Sequence, residues 1–243
     1  SIPDMSNIQI NFIKNKFKNF NIKIKLYSSI ESSIFTEEFT LNNLDVLNQN
    51  IDLVDSLLFS ELKNKKILVT GAGGSIGREL TVQLSYCGLE ELIILDHSEI
   101  NLYSIFKKIE DIVTINNLKF KFTKILSSLI DKNRLDYLIA KYKPHIVLHA
   151  AAYKHVNIIE ENSYEAINNN VISTVNLVDS CIKHKCDSFV YVSTDKAVHP
   201  RNIMGASKRI SEMYLQSLSI DKKVSNNMNI SIVRFGNVLN SSG

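Results

Sequence analysis

The chain has 243 residues, of which 44% are hydrophobic and 22% are charged, and its formal net charge is +3. Its lysines are scattered rather than gathered on one face, so the charge does not indicate nucleic-acid binding. No apolar run reaches the roughly 18 residues of a transmembrane helix, and three cysteines cannot form an even set of disulfides. These properties predict a soluble protein of a reducing, cytoplasmic compartment, with enough apolar residues for one full core.

The first 60 residues have a different pattern from the rest. A helix with one apolar face is predicted near residues 10–20, and an alternating strand pattern follows near residues 22–26. A linker without glycine leads on to the remainder of the chain. We interpret residues 1–45 as the tail of a preceding domain, 46–60 as a connector and 61–243 as the main domain.

From residue 60 onward, apolar strand patterns alternate with helical patterns. Alternation of this kind favours a parallel sheet covered by helices on both faces. The predicted fold class is therefore α/β, with a doubly wound parallel sheet of the Rossmann type. The strands are predicted near residues 66–70, 92–96, 119–125, 145–151, 188–194 and 230–235.

A glycine-rich turn follows the first predicted strand and precedes a helical pattern. It contains half of the chain's eight glycines. Glycines at 71, 74 and 77 suit a tight turn, the close approach of a pyrophosphate and a close helix–strand contact, and the helix start supplies N–H groups for the anion. We therefore predict a dinucleotide site. Its phosphate-binding residues are Thr70, Gly71, Gly73, Gly74, Ser75, Ile76 and Gly77.

The second predicted strand ends in Asp96, at about the distance expected of an acid that binds the adenosine ribose. A carboxylate there accepts both ribose hydroxyls and repels a 2′-phosphate, which favours NAD over NADP. Residues 73–77 also match the G-x-S-x-G nucleophile elbow, but the extra glycines have no role in an elbow. No Lys-Ser/Thr pair follows Gly77, which excludes a P-loop.

Polar side chains follow the fifth predicted strand. Ser193, Thr194, Asp195 and Lys196 stand at its carboxyl end, and a helical pattern with Lys208 comes next. Ligands of open α/β sheets bind outside the carboxyl ends of the strands, so this segment is placed for chemistry. The Cys-x-x-His-x-Cys pattern at 181–186 lacks a fourth ligand and follows a helical pattern, so we predict no metal site.

Several of these motifs together resemble one family. They are residues 70–77, 96–99 with 101–103, 149–156, 170–171, 193–196, 204–208 and 234–238. The combination resembles the nucleotide-sugar 4,6-dehydratases of bacterial polysaccharide and glycan biosynthesis, which are extended short-chain dehydrogenase/reductases typified by UDP-N-acetylglucosamine 4,6-dehydratases. The resemblance implies NAD as cofactor, a UDP-sugar as substrate and a homo-oligomer.

The resemblance also has implications for the whole protein. It implies that residues 1–45 end a nucleotide-binding-type domain and that the C-terminal substrate subdomain is largely absent from this chain. We therefore expect little turnover from the chain alone. The long members of the family carry N-terminal transmembrane helices, so the parent protein is expected at the inner membrane, with this domain on the cytoplasmic side.

Further site residues are carried over from the resemblance. Substrate contacts are expected from Lys154, His155 and Asn237, although Lys154 and His155 are also open to interpretation as a solvated pair. Added to the glycine turn and Asp96, the expected cofactor contacts are His97, Ser98, Ala150, Ala151, Ala152, Lys154, Asn170 and Lys208.

The resemblance implies an internal redox reaction in which hydride leaves C4 of the sugar, water leaves from C6 and hydride returns to C6. Lys208 would bind the nicotinamide ribose and Thr194 the C4 oxygen. Lys196 would be the base at C5, made less basic by burial and by Lys208, and Asp195 the acid at C6, although these two roles could be exchanged. Met204 takes the place of the usual tyrosine and cannot accept a proton.

Two alternatives to the dehydratase remain open. A nucleotide-sugar epimerase shares the C4 oxidation but needs no acid at C6, so the Asp195-Lys196 pair argues against it. A non-catalytic module that senses NAD is the other alternative, and Met204 is the residue that favours it.

Overall fold

The structure is a computed structural model that describes residues 60–236. The predicted domain tail and nearly all of the connector lie outside the described residues, as does the predicted substrate residue Asn237.

Within residues 60–236, six strands form one sheet in which every neighbouring pair is parallel. Their order is β3-β2-β1-β4-β5-β6. The order reverses between β1 and β4, which is the switch point where open sheets of this type bind ligands. The strands are β1 (Lys66–Thr70), β2 (Glu91–Asp96), β3 (Lys121–Leu126), β4 (Ile146–His149), β5 (Ser188–Thr194) and β6 (Asn229–Phe235).

The structure confirms all six predicted strands, but the fourth is shorter than predicted. The sequence pattern runs to residue 151, whereas β4 ends at His149. Ala150 still donates its N–H to the carbonyl of Thr70, at 3.1 Å. Beyond it the chain leaves the ladder and passes close to Gly71, where an added Cβ atom would lie 2.6 Å from Ala151.

Helices connect successive strands. The first three are α1 (Ser75–Leu84), α2 (Glu99–Ile115) and α3 (Lys132–Tyr142). Between β4 and β5 lie α4 (Val156–Glu161), α5 (Ser163–Ala166), a π-helical segment (Ile167–Ile172) and α6 (Ser173–Lys183). Between β5 and β6 lie a 3₁₀ turn (Asp195–Ala197), α7 (Ile203–Ile220) and α8 (Lys222–Ser225).

Alternate residues of the strands enter two separate apolar cores. On β2, Ile93 and Leu95 pack in a core with α3, α6 and α7, whereas Leu92 and Ile94 pack with α1 and α2. Burial of side chains of this size stabilises the fold by about 1.5–3 kcal/mol each. Strands that are apolar on both faces are covered on both sides, which confirms the doubly wound prediction.

Candidate active site

Close backbone contact shapes the glycine turn. Gly71 has a φ of 65°, and a Cβ atom there would lie 2.6 Å from the backbone nitrogen of Ala151. A Cβ atom on Gly77 would collide with the carbonyl oxygen of Gly71. Only glycine fits at both positions. The structure therefore has the predicted tight turn at Gly71 and the predicted helix–strand contact at Gly77.

The two middle glycines of the turn differ in their surroundings. A Cβ atom on Gly73 would lie 2.5 Å from the Cβ of Asn101, so α2 closes that side. At Gly74 the nearest atom is the carbonyl oxygen of Gly71, at 3.3 Å, and the residue is exposed. Gly74 precedes α1 without a side-chain cap, and the first turn has no acidic residue. An uncapped helix start favours a bound anion, and the open side of the turn is at Gly74.

Asp96 has a role that the motif did not reveal. Its side chain is buried, and its two oxygens accept hydrogen bonds from the N–H groups of Gly73 at 3.0 Å and Ser98 at 2.9 Å. Ser98 in turn caps α2 by accepting from the N–H of Asn101. The exposed His97 lies beside Asp96, with Nδ1 3.8 Å from Oδ1. The predicted ribose acid therefore also holds the glycine turn against β2.

A buried histidine connects the glycine turn to the other half of the sheet. His149 Nδ1 lies 2.7 Å from Thr70 Oγ1, and Nε2 lies 2.9 Å from Thr174 Oγ1. Thr174 donates its own proton to the carbonyl of Asn170, so Nε2 carries the imidazole proton and Nδ1 accepts from Thr70. Burial, together with the charge of Lys208, lowers the pKa of His149 to about 3. The neutral ring ties β1, β4 and α6 together.

Asn170 fixes the loop that follows β4. Its amide accepts from the N–H of Tyr153 at 2.8 Å and donates to the Tyr153 carbonyl and to Ser207 Oγ, both at 3.0 Å. The side chain is buried in the π-helical segment, a type of helix often found at functional sites. These bonds make Asn170 a support for the loop that carries Lys154. Lys154 itself is exposed, and partial desolvation lowers its pKa.

The remaining residues predicted in this loop also lie at the carboxyl edge of the sheet. Ala150 and Ala151 contact the backbone of Gly71, and Ala152 follows them directly. His155 is exposed and precedes α4 without a side-chain hydrogen bond to the helix start.

Thr194, Asp195 and Lys196 form one polar turn at the end of β5. Thr194 Oγ1 donates to Asp195 Oδ1 at 2.9 Å, and Lys196 Nζ lies 3.6 Å from the same oxygen. The bond from Thr194, together with the charge and hydrogen bonds of Lys196, lowers the pKa of Asp195. The side chain of Lys196 is 40% exposed, so the burial predicted for it is absent. The pair is a partly solvated ion pair.

The two predicted residues of α7 differ in where they point. Lys208 is buried, and its Nζ donates to the carbonyl of Val192 at 2.8 Å and lies 4.4 Å from the centre of the Tyr191 ring. Met204 is also buried, in a small apolar cluster with Ile159 and Ala166. Met204 stands where the family pattern has a catalytic tyrosine, and its side chain lies in this cluster, as the apolar character of a thioether favours.

Gly205 brings α7 against the polar turn. A Cβ atom at this position would lie 2.5 Å from the carbonyl oxygen of Lys196. Farther along α7, Ser207 receives the hydrogen bond from Asn170 described above. Contacts therefore continue along the carboxyl edge of the sheet from the glycine turn, through the loop after β4 and α7, to the Asp195-Lys196 turn.

Two features are absent from residues 60–236. No helix in this part of the chain is long and apolar enough to cross a membrane, and no three side chains are grouped as metal ligands. Cys181 and Cys186, the first and last residues of the Cys-x-x-His-x-Cys pattern, are buried in the core.

Sequence comparisons find relatives among enzymes of nucleotide sugars. The chain is 39% identical over 251 residues to the capsular polysaccharide biosynthesis protein CapD of Staphylococcus aureus, covering 100% of the chain and 41% of CapD. It is 31% identical to a UDP-N-acetylglucosamine 4,6-dehydratase (inverting) of Campylobacter jejuni and 36% identical to a UDP-glucose 4-epimerase of Rickettsia canadensis. Both alignments cover 74% of the chain and 51% of the relative. The chain thus spans about half the length of these relatives, or less.

Solved structures share the fold. Pen from Bacillus thuringiensis matches with a TM-score of 0.67 and 26% identity, over 75% of this chain and 53% of Pen. A UDP-glucose-4-epimerase from Stenotrophomonas maltophila, solved with bound NAD and formylated UDP-arabinopyranose, matches with a TM-score of 0.61 over 70% of this chain and 52% of that one. The second match has 20% identity and shows the fold alone.

The family model described as polysaccharide biosynthesis protein matches residues 67–243. The match includes the glycine turn, Asp96, the loop after β4, the Asp195-Lys196 turn and α7. These are the segments that meet at the carboxyl edge of the sheet. The chain therefore belongs to the polysaccharide biosynthesis protein family, a group of nucleotide-sugar-modifying proteins related to dehydratases and epimerases.

Proposed function

We propose that this chain is the NAD-binding and catalytic domain of a dehydratase that converts a UDP-linked N-acetylhexosamine, UDP-N-acetylglucosamine, to the 4-keto-6-deoxy sugar. The observation that carries this proposal is the Asp195-Lys196 pair at the end of β5, held against α7 at Gly205. Loss of water from C6 needs both an acid and a base, and epimerisation needs no acid at C6. The pair therefore favours dehydration over the epimerase activity named for one of the relatives.

The glycine turn and Asp96 fit NAD. The open side of the turn at Gly74 and the uncapped start of α1 suit a pyrophosphate. Each oxygen of Asp96 accepts one hydrogen bond from the protein, and a carboxylate oxygen has capacity for a second, from a ribose hydroxyl. NAD bound there would accept hydride from C4 of the sugar and return it at C6.

The ionised Asp96 also supports the choice of NAD over NADP. It would repel a 2′-phosphate, so we expect at least roughly tenfold tighter binding of NAD, a ratio that corresponds to about 1.4 kcal/mol. Asp96→Asn should reduce this preference because it removes the charge but keeps a hydrogen-bonding side chain. Calorimetry with both cofactors measures the ratio, and equal affinities in the wild type would contradict the assignment.

The side chains of the polar turn and α7 have separate proposed roles. Lys208 has three ammonium protons, of which one goes to Val192, and would donate another to the nicotinamide ribose. Thr194 would accept the proton of the C4 hydroxyl and pass its own proton to Asp195 through its existing bond, so that both the hydride and the proton lost at C4 have an acceptor. Met204, buried in its apolar cluster, takes no part in proton transfer.

The Asp195-Lys196 pair would supply one acid and one base. As an ion pair, it holds the proton on Lys196, which suits Asp195 as the base. The family resemblance implies the converse, with Lys196 taking the C5 proton and Asp195 protonating the departing C6 hydroxyl. A bound sugar that removes water from the pair would favour the neutral forms of both groups, and those are the forms that the converse assignment needs.

Product analysis tests the proposal. The full-length protein is incubated with NAD and UDP-N-acetylglucosamine, and the sugar is followed by NMR. We expect the 4-keto-6-deoxy product. Formation of the 4-epimer alone would identify an epimerase, and NAD binding without any change in the sugar would favour a sensing module. In D₂O, loss of C5 exchange in Asp195→Asn, with exchange retained in Lys196→Ala, would assign the base to Asp195.

A further inference from the structure

A buried glutamate lies behind the polar turn. The side chain of Glu212 is fully buried, one helical turn after Lys208 on the same face of α7. Burial raises the pKa of Glu212, but hydrogen bonds from Arg234, Ser193 and Arg209 outweigh this effect and lower it below the usual value. A buried carboxylate costs several kcal/mol unless such partners compensate for lost water. Glu212 is therefore held ionised by a complete set of donors.

Two of the three partners of Glu212 come from the strands β5 and β6, and the third comes from α7 itself. Ser193, the residue before Thr194, donates to Oε1 at 2.7 Å. Arg234 of β6 donates from Nε to Oε1 at 2.8 Å and from Nη2 to Oε2 at 2.7 Å, which is the bidentate geometry of strong ion pairs. Arg209 adds a bond to Oε2 at 3.2 Å. One carboxylate thus joins α7 to β5 and β6.

These bonds bear on the geometry of the polar turn. Ser193 and Arg234 are register partners in the sheet, so Glu212 fixes β5 and β6 at the same level. Two residues after Arg234, a Cβ atom on Gly236 would lie 4.0 Å from Asp195 Oδ2. Lys208, one turn before Glu212, holds β5 at Val192. Side chains of α7 therefore bind two consecutive residues of β5, Val192 and Ser193, immediately before the turn begins.

We propose that Glu212 is a positioning residue that, through Ser193 and Arg234, fixes the Thr194–Lys196 turn relative to Lys208. Its side chain is fully buried, so it is assigned no contact with substrate or cofactor. The kinetic part of this proposal rests on the proposed dehydratase function. A displacement of about 1 Å at a reacting group can cost on the order of 10²-fold in rate, so such a support affects turnover.

The test uses Glu212→Gln in the full-length protein, with Glu91→Gln as the matched control. Glu91 is also buried and paired, with Thr123 at 2.6 Å and Lys121 at 3.0 Å. It starts β2, however, and β1 and β4 lie between β2 and β5 in the sheet. We expect Glu212→Gln to lower kcat by roughly 10–100-fold with KM and NAD affinity within about threefold of wild type. Glu91→Gln should leave kcat within about twofold.

Hydrogen–deuterium exchange provides a measurement that does not depend on the reaction. Glu212→Gln should speed exchange in residues 194–197 and at the end of β6, and Glu91→Gln should not. If Glu212→Gln does not fold, Ser193→Ala removes only the β5 bond and should give the same pattern with a kcat loss of roughly tenfold. Unchanged exchange in residues 194–197, or kcat within about threefold of wild type, would overturn the proposal.

These two measurements also separate the present inference from the proposed function. A wild-type protein without dehydratase turnover would refute the proposed function, while faster exchange in residues 194–197 of Glu212→Gln would still support the positioning role.

Discussion

The proposed cofactor region, which comprises the glycine turn and Asp96, and the proposed catalytic region, which is the Thr194–Lys196 turn, lie at the same edge of the sheet but are held in place by different means. Backbone collisions and buried hydrogen bonds fix the glycine turn, as at Gly71 and Asp96. The Asp195-Lys196 turn has a partly solvated ion pair and depends on α7 behind it for its position. Changes in the cofactor region should therefore affect folding and NAD binding together, and changes in the catalytic turn should affect turnover alone.

The largest effect expected from this comparison is in the catalytic turn. Lys196→Ala and Asp195→Asn should each lower kcat by about 10²–10⁴-fold, the usual contribution of a positioned acid or base. Because both side chains are partly exposed, NAD affinity and the unfolding temperature should stay close to wild type. Steady-state kinetics, NAD calorimetry and thermal unfolding measure the three quantities.

A matched control for these variants is Lys183→Ala, which breaks a surface ion pair with Asp136 at 2.8 Å. It should leave kcat unchanged, because exposed pairs contribute little and this one joins α6 to α3. Loss of NAD binding in Asp195→Asn would show that the catalytic turn also contributes to NAD binding, contrary to the comparison.

In the cofactor region, Gly71→Ala should destabilise the fold and abolish NAD binding. The left-handed backbone and the collision with Ala151 together should lower the free energy of unfolding by about 2–4 kcal/mol. Gly88→Ala is the control, since Gly88 has a similar φ of 63° but its Cβ atom would meet only Lys63 Cγ at 3.7 Å. Denaturant unfolding of the two variants separates the cost of the left-handed backbone from the cost of the collision. Equal losses in the free energy of unfolding would refute the close approach of Gly71 to Ala151.

The buried histidine makes the cofactor region sensitive to acid. The pKa of His149 is about 3 in the fold and near 6.5 as its ordinary value, so the unfolded chain binds the proton more readily. Its contribution to stability is complete above pH 6.5 and is lost as the pH falls towards 3, by at most about 1.4 kcal/mol per pH unit. The free energy of unfolding, measured across this pH range, should fall less steeply with decreasing pH in His149→Gln. An unchanged slope would contradict the buried neutral imidazole.

The smallest effect is expected at Tyr191, between the two regions. Within residues 60–236, its hydroxyl is the buried side-chain polar atom that lacks a hydrogen-bond partner. Tyr191→Phe keeps the ring under Lys208 and should change the free energy of unfolding by less than about 1 kcal/mol, or raise it. Tyr214→Phe, which breaks a 2.6 Å bond to Asp179, should cost about 1.5–3 kcal/mol. A larger loss at Tyr191 than at Tyr214 would contradict this account.

The sequence predicts the cofactor region better than the catalytic region for a physical reason. Local patterns encode the strands and the glycine turn, because apolar runs and glycine requirements depend on near neighbours. The local pattern does not reveal the end of β4 at His149, because the apolar run continues through the three alanines that follow it. His149 is the exception among the residues missed, since a lone histidine in the otherwise apolar run 146–149 signals a buried polar partner.

The catalytic region depends on tertiary contacts that the sequence does not display. Glu212 lies three residues after Arg209, a spacing that on a helix is typical of a solvated ion pair, yet the structure buries it beside Arg234. Met204 occupies the position of a catalytic tyrosine in the family pattern, but an apolar cluster receives its side chain. The side chain of Lys196 is 40% exposed in its ion pair with Asp195, an exposure that its neighbours in the sequence do not reveal.

The path of the hydride tests the central claim most directly. UDP-N-acetylglucosamine carrying deuterium at C4 is incubated with the full-length protein and NAD, and the product is examined by ²H NMR and mass spectrometry. Dehydration at the Asp195-Lys196 turn predicts a 4-keto-6-deoxy sugar with the deuterium on C6, because hydride taken from C4 is returned after water has left. Deuterium that remains on C4 of an epimerised sugar would contradict the account.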